Sequence, residues 1–329
     1  MRLTIPLAVL LALLLAAEAQ ATLVFVKRPA AAAPVVQVAR DDGSQRRRLG
    51  VGRDPTVSPD GRWAAWIGRG RLERVVLRRT DRSRKARVVS RSMQAGELSF
   101  SPDSTQLGMS LQGRLAVHDI PTRITFNAAT GSIRGFSFSP DSKSVVYGTS
   151  GRDEGLAAPS DLYAIEFDAG PRTRITRDRK SLNPLWTTTG IVHDRQRLRE
   201  GDAPSYNLFE IQPDGGSLRR ITSLRIPSLL SGLVPLEASA DGARLLADFT
   251  GQDTGVGFAV NVRTGRARSL SRDAENGLVG FDLTADGRTV LGHSGGPDPG
   301  AEHDVVTVPY RGGRPEVLVE DAAFPDWSR

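Results

Sequence analysis

The sequence predicts an all-β ring of four-stranded antiparallel blades, and three observations predict it. One phrase recurs, as "VSPDGRWAAWI" at 57–67, "LSFSPDSTQLGMS" at 98–110 and "FSFSPDSKSVVYG" at 136–148. The same order of short strands and tight turns follows each copy. The two ends of the chain carry complementary fragments of one further blade.

The phrase comes first because it sets the phase. Its serine, or the equivalent residue, falls at Ser58, Ser101, Ser139, Thr187, Ser239, Thr284 and Ser328. The steps average about 45 residues, a period typical of propeller blades. Within "SPDG" the proline presets φ for the first corner of a type I turn, and aspartate suits the second. Glycine then accepts the left-handed conformation that returns the chain into a hairpin with a bulge. Ser104 and Ser142 stand where glycine would be easier, so those two turns are expected to be slightly strained or of another type. Every blade needs this hinge, whereas a catalytic group is not needed once per blade. The phrase is structural.

The other strands follow in order. In the third copy "FSFS" is the first strand, "SVVYGTS" the second, "DLYAIEF" the third and "TRIT" the last. At the N-terminal end "TLVFVKR" (22–28), "VVQVAR" (35–40) and "QRRRLG" (45–50) match the second, third and fourth strands of a blade that lacks its first. The C-terminal "AAFPDWSR" supplies a first strand with no blade after it. Read together, the six intervals give a six-bladed β-propeller over residues 22–329, its last blade closed by strands from both termini.

Residues 1–21 stand apart. Arg2 precedes an uncharged apolar run, "IPLAVLLALLLAA", and "AQA" (Ala19–Ala21) follows it. This is the pattern of a secretory signal with cleavage before Thr22, and the run is short for a membrane span. The expectation is an exported protein, periplasmic or extracellular, with no stable membrane insertion after cleavage. The chain has no cysteine, which excludes a disulfide scaffold and a thiolate metal site. Hydrophobic residues at 39% and charged ones at 25% place it among ordinary globular proteins. The formal charge of +7 comes almost wholly from arginines scattered through strand-like segments. No nucleic-acid partner is expected from that distribution, and weak attraction to anionic polymers of the cell envelope is.

The "[F/W]-S-P-D-[G/S]" phrase, the later glycine turn and the "R-I-T" ending (Arg174–Thr176, Arg220–Thr222) resemble the TolB-type β-propeller repeat. The resemblance covers Thr22–Arg329 and implies the fold. TolB proteins add an N-terminal α/β domain and dock partners in the cell envelope, and this chain has no room for that domain. Related propellers precede a hydrolase domain in prolyl-oligopeptidase-like peptidases, and none follows Arg329. A free-standing exported propeller is the expectation.

Candidate chemistry is sparse. "GHSGG" (Gly292–Gly296) fits the G-x-S-x-G pattern, but that nucleophile requires a helix directly after the serine, and "PDPG" forbids one. His193 and His293 occupy matching late positions of second strands, so they could face a common metal; two hydrogen-bonded loop histidines are the other reading. Recognition is better supported than reaction. The variable loops between second and third strands share a face with the blade-to-blade connections. In the loop at 151–160 Arg152 and Asp153 are candidate binding residues, and Arg195, Arg197 and Arg199 form a charge cluster suited to carboxylates. The segment 223–235 is apolar for a connection, and Ile226, Leu229 and Leu230 there either cap the core or form a contact patch. The sequence thus points to a non-catalytic exported scaffold with no cofactor. Its expected partner is an envelope or extracellular protein, or an anionic polymer, bound through the variable-loop face. The alternative is a metal-dependent lyase or lactonase acting on a small sugar acid.

Overall fold

The computed structural model describes residues 21–28, 30–31, 33–150, 158–168, 170–197, 205–227, 230–251, 255–271, 277–296 and 301–328. The 1–20 part of the signal segment therefore lies outside the described residues. The described chain forms strands joined by turns. Strands β1 (Thr22–Lys27), β2 (Val35–Arg40) and β3 (Arg47–Val51) are joined on their inner side by β28 (Ala322–Trp327). The next sheet holds β4 (Arg53–Val57), β5 (Trp63–Gly68), β6 (Glu73–Arg79) and β7 (Arg87–Ser92). It is followed by β8 (Ala95–Phe100), β9 (Gln106–Leu111), β10 (Arg114–Asp119) and β11 (Thr125–Thr130). Then come β12 (Ile133–Phe138), β13 (Ser144–Thr149), β14 (Asp161–Glu166) and β15 (Thr173–Arg174).

Strands β16 (Ser181–Trp186), β17 (Ile191–Arg197), β18 (Ser205–Ile211) and β19 (Arg219–Arg220) form a meander. A second meander holds β20 (Leu230–Ala238), β21 (Arg244–Gly251), β22 (Gly255–Asn261) and β23 (Ala267–Ser269). Strands β24 (Leu278–Leu283), β25 (Thr289–Ser294), β26 (Val305–Pro309) and β27 (Glu316–Val319) complete the ring. Hydrogen bonding groups all of these into six sheets, five of four strands and one of eight, which agrees with the expected six. The eight-stranded sheet, however, is the β16–β19 and β20–β23 meanders joined by one parallel pair, Tyr206 with Gly232. Counted by four-stranded meanders there are seven units. The six intervals span the units between Ser58 and Ser328, and the unit completed by the termini is one more.

The repeated phrase works as a small hydrogen-bonded machine. Ser58, Ser101, Ser139 and Ser239 each donate from Oγ to the aspartate two residues on, at 2.6 Å, and Thr284 does so at 2.7 Å. The same oxygens accept the backbone N–H that opens the second strand, from Trp63, Gln106, Ser144, Arg244 and Thr289, at 2.9–3.0 Å. At the fourth position the chain is left-handed, with φ of 69° at Gly61, 67° at Gly242 and 65° at Gly287. Ser104 and Ser142 adopt 64° and 62° there, as their place in the phrase led us to expect. Each serine returns something for that strain. Its Oγ accepts the N–H of the preceding unit's aspartate, Asp60 to Ser104 and Asp103 to Ser142, both at 3.0 Å. The turns are thereby linked from unit to unit around one rim.

The R-I-T ending has an equally local cause. Thr176 and Thr222 accept the N–H of Leu162 and Leu208 at 2.9 Å, pinning the exit of each outer strand to its third strand. The arginine two residues earlier folds back onto the threonine carbonyl and lies over the ring of Tyr163 or Phe209.

The apolar core sits between units, not within them. Ile67, Val75 and Leu77 pack on Leu107 and Met109 of the next unit, and Val192 and Leu208 pack on Leu233, Leu245 and Val260. At closure Leu23 and Phe25 pack on Leu291, Val305 and Val319, while β28 pairs Leu23 with Trp327 and Val26 with Ala323. Asp326 then accepts from Thr56 Oγ1 and Val57 N, both at 2.7 Å, locking the closing strand to β4.

One segment departs from the expected connection. The latter part of the apolar segment 223–235, from Leu230 on, belongs to β20, the inner strand of its unit, with Leu233 fully buried. Leu230 is its first residue and pairs with Gly251, and Ile226 is half-buried before it. Gly232 and Pro235 read as strand breakers in the sequence, but the strand uses them at two bulges. Gly232 also has φ 111° and lies so close to Tyr206 that a Cβ would meet its carbonyl oxygen at 2.3 Å.

Candidate functional site

Inner strands carry bulges at Arg53/Thr56, Ala95/Leu98, Ile133/Phe136, Leu182/Leu185, Pro235/Glu237 and Gly280/Asp282. A bulge re-aims the side chains beside it. Here the re-aimed residues line an axial cavity of about 700 Å³ to which the inner strands β4, β8, β12, β16, β20, β24 and β28 all contribute. Its wall carries four carboxylates, Asp54, Glu97, Glu237 and Asp326, and aromatic rings that include Trp186, Phe281 and Trp327. Among the described residues no lysine, arginine or histidine lines it.

The carboxylates differ in how they are held. Asp326 is fixed by the two bonds to β4 already described. Asp54, itself left-handed at φ 48°, pairs with Arg53, whose guanidinium also reaches Glu73 at 2.8 Å and the Ala95 carbonyl at 2.9 Å. Glu237 accepts the N–H of Ala238 at 2.9 Å. Glu97 is exposed to the space of the cavity, although the surrounding strands crowd its carboxyl. Desolvation by that crowding pushes its carboxyl up to about 7, against a single opposing hydrogen bond from the Phe136 backbone. It therefore carries a proton part of the time near neutral pH.

A second aromatic group stands behind Phe324. This bulky residue is left-handed at φ 52°, an unusual conformation for a large side chain. Its ring lies 5.9 Å from Phe281 and 5.5 Å from His293. His293 in turn meets His303 at 4.6 Å, and both Nδ1–H groups donate to the Ser294 carbonyl. Burial lowers His293 to about 4, which keeps it neutral at ordinary pH.

His193 does not share that place. It lies three residues after Gly190, whose carbonyl closes the first hairpin, while His293 lies four after the corresponding Thr289. Side chains alternate along a strand, so the odd difference turns the two imidazoles to opposite faces. The short "TTTG" turn conceals this offset in the sequence. The position equivalent to His293 is filled by Asp194 in β17 and by Asp248 in β21. His193 itself is fully buried, donates from Nδ1 to the Asp194 carbonyl at 3.1 Å, stacks on Phe209 and is lowered to about 4 by burial. Among the described residues no three His, Cys, Asp or Glu side chains are grouped to hold a metal ion.

The loop candidates are only partly in view. Arg195 donates to Asp178 at 2.6 Å and lies over Phe209, and Arg197 is exposed at the end of β17. Arg152, Asp153, Arg199 and Leu229 lie outside the described residues. The acidic cavity was not anticipated. A signal existed: Glu237 and Asp326 stand two residues before the turn serine, and Asp54 and Glu97 four before it. That shared parity would have put all four on one strand face.

This architecture is that of a β-propeller, a fold shared with TolB proteins and with several enzymes. No family model matches the chain, and no curated protein does. Solved structures do. TolB from Acinetobacter baumannii aligns at TM-score 0.53 and 16% identity over 94% of this chain and 66% of its own, just under two thirds. The β-propeller domain of the trilobed protease from Pyrococcus furiosus aligns at TM-score 0.66 and 12% identity, covering 92% of this chain and 95% of that domain. An oligogalacturonate lyase from Vibrio parahaemolyticus aligns at TM-score 0.58 and 13% identity, over 80% and 76% of the two chains. At these identities the likeness is one of fold. The same ring carries both TolB proteins and enzymes. No helix among the described residues is long and apolar enough to cross a membrane.

Proposed function

We propose that this protein is an exported, non-catalytic scaffold that binds a protein partner of the cell envelope, with the axial cavity as the principal contact. The observation that carries this reading is the cavity wall, where four carboxylates and several aromatic rings face a common space with no lining cation among the described residues. Such a wall suits a partner segment bearing lysine or arginine beside apolar side chains. The apolar "IPLAVLLALLLAA" run and the TolB likeness in fold support export. The test is capture from an envelope extract with residues 22–329 as bait, beside a Glu97→Gln/Glu237→Gln bait. A protein retained by the first and released by the second supports the reading. Equal retention by both baits, or none by either, removes it.

Glu97 alone favours a second reading. A carboxyl near 7 in a wetted cavity is poised for general acid–base work, and the lyase likeness in fold supplies a substrate to test, an acidic oligosaccharide, against whose charge the other wall carboxylates act. Cleavage of oligogalacturonate that disappears in Glu97→Gln, with the variant still folded, would replace the scaffold by an enzyme.

A further inference from the structure

A second cavity, of about 400 Å³, lies away from the axis, at the end of the β12–β15 unit and against the last residue of β11. Its charged wall is Arg172, Arg174, Arg179 and Asp161, with hydroxyls from Thr130 and Tyr163. Three guanidinium groups against one carboxylate leave two positive charges in a concave space.

The arrangement is built. Asp161 is buried and acts as a hub: it accepts from Arg174 Nη2 at 2.6 Å, from Thr176 Oγ1 at 3.0 Å and from the Arg179 backbone N–H at 3.0 Å. That last bond holds Arg179 in a left-handed conformation, φ 58°, and so sets where its side chain leaves the backbone. Arg172 lies over the Tyr163 ring with its guanidinium carbon 4.5 Å from the ring centre, and Tyr163 stacks on Tyr147. Stacking fixes the guanidinium plane while leaving N–H groups at its edge for a ligand.

The neighbouring unit shows which of these groups the fold requires. There Asn207 replaces Asp161, accepting from Thr222 at 2.9 Å and from the Leu224 N–H at 2.8 Å. A neutral amide oxygen therefore suffices for the structural task. Matching the ladders, Tyr163 with Arg174 and Phe209 with Arg220, puts Leu218 where Arg172 stands. That unit needs no guanidinium there, since His193 takes the place of Tyr147; here Arg172 hydrogen-bonds the buried Tyr147 hydroxyl and at the same time lines the cavity.

We infer that this cavity is a binding site for a phosphate-class oxyanion, and specifically for a doubly charged phosphomonoester. Two net positive charges match such a dianion, and planar guanidinium groups present paired N–H donors to its oxygens. The site is separate from the axial cavity and does not depend on the scaffold reading.

The experiment is titration calorimetry of the folded chain with inorganic phosphate, glycerol 1-phosphate, sulfate and galacturonate, at pH 5 and pH 7.5. Phosphate and glycerol phosphate are expected to bind saturably and more tightly at pH 7.5, because the second ionisation of a phosphomonoester lies near 6. Comparable affinity for both identifies the phosphate group as the ligand; preference for the glycerol ester identifies a phosphorylated polyol. Arg172→Gln/Arg179→Gln is expected to weaken binding by about tenfold or more. Arg225→Gln, in the equivalent connection of the next unit, should leave it unchanged. Both variants should remain folded with a cooperative unfolding transition, which separates lost binding from lost fold. Absence of saturable phosphate binding, equal binding of galacturonate, or binding undiminished in the double variant would overturn the assignment.

Discussion

The left-handed serines make the sharpest test of how the ring is held together. Ser104 and Ser142 each combine a conformational cost with an inter-unit hydrogen bond, and the two can be separated by substitution. An L-residue with a Cβ in this region costs roughly 1–2 kcal/mol. The bond from the preceding aspartate N–H, 3.0 Å in both cases, contributes about 0.5–1.5 kcal/mol net. Alanine keeps the cost and loses the bond, so Ser104→Ala and Ser142→Ala should each destabilise by about 1 kcal/mol. Glycine loses the same bond but releases the strain, less about 0.5–1 kcal/mol for its greater freedom in the unfolded chain. Ser104→Gly and Ser142→Gly should therefore fall within about 1 kcal/mol of the native protein and above the alanine variants. Equilibrium denaturation of all four, with midpoint and slope fitted separately, reads the order directly. Equal losses for glycine and alanine would show that the positive φ carries no strain. Alanine variants as stable as the native protein would show that the turn-to-turn bonds contribute nothing.

Three further expectations follow from the same geometry. Burial raises Asp194 to about 7 and Asp248 to about 6 from an ordinary 3.8, so the native state binds these protons more tightly than the unfolded chain. Stability from these groups is then greatest below about pH 4 and falls as pH rises towards 7; Asp194→Asn should remove part of that fall, seen as a higher denaturation midpoint at pH 8 but not at pH 4. Thr176→Val and Thr222→Val keep shape but leave the Leu162 and Leu208 N–H groups without the threonine oxygen, and each should lose about 1–3 kcal/mol in the same assay. Truncation after Asp321 removes β28 and both bonds to Asp326, which should expose the β1 edge and give oligomers by size-exclusion chromatography.

The ring was legible in the sequence because its signals are local. A turn needs its proline, aspartate and left-handed residue at fixed spacing, and closure needs complementary fragments at the ends. What escaped were consequences of register. The "TTTG" turn is two residues shorter than its equivalents, which leaves the face unchanged. It is the place of each histidine after that turn, three residues on in β17 and four in β25, that reverses His193 relative to His293. The bulges in β20 accommodate Gly232 and Pro235 within a strand, so Leu230 and the fully buried Leu233 lie in an inner strand rather than in a connection. The axial carboxylates lay four or two places before each turn, but only closure of the ring brings them together.

Repetition supplies its own control in such a protein. Every unit solves the same folding problem, so a residue that departs from its equivalents has to be explained by something beyond that problem. Some departures have a structural return: Ser104 and Ser142 replace glycine and gain a bond to the preceding turn. Asp161 in place of Asn207 keeps the bond to threonine, gains an ion pair with Arg174 and takes its backbone bond one residue later, from Arg179. Arg172 in place of Leu218 stacks on Tyr163 and hydrogen-bonds the Tyr147 hydroxyl, and in doing so adds a charge to the cavity wall. Glu97 stands exposed in the axial cavity, so the fold gains no packing from its carboxyl. Glu97 and Arg172 lie in the two cavities where binding is expected.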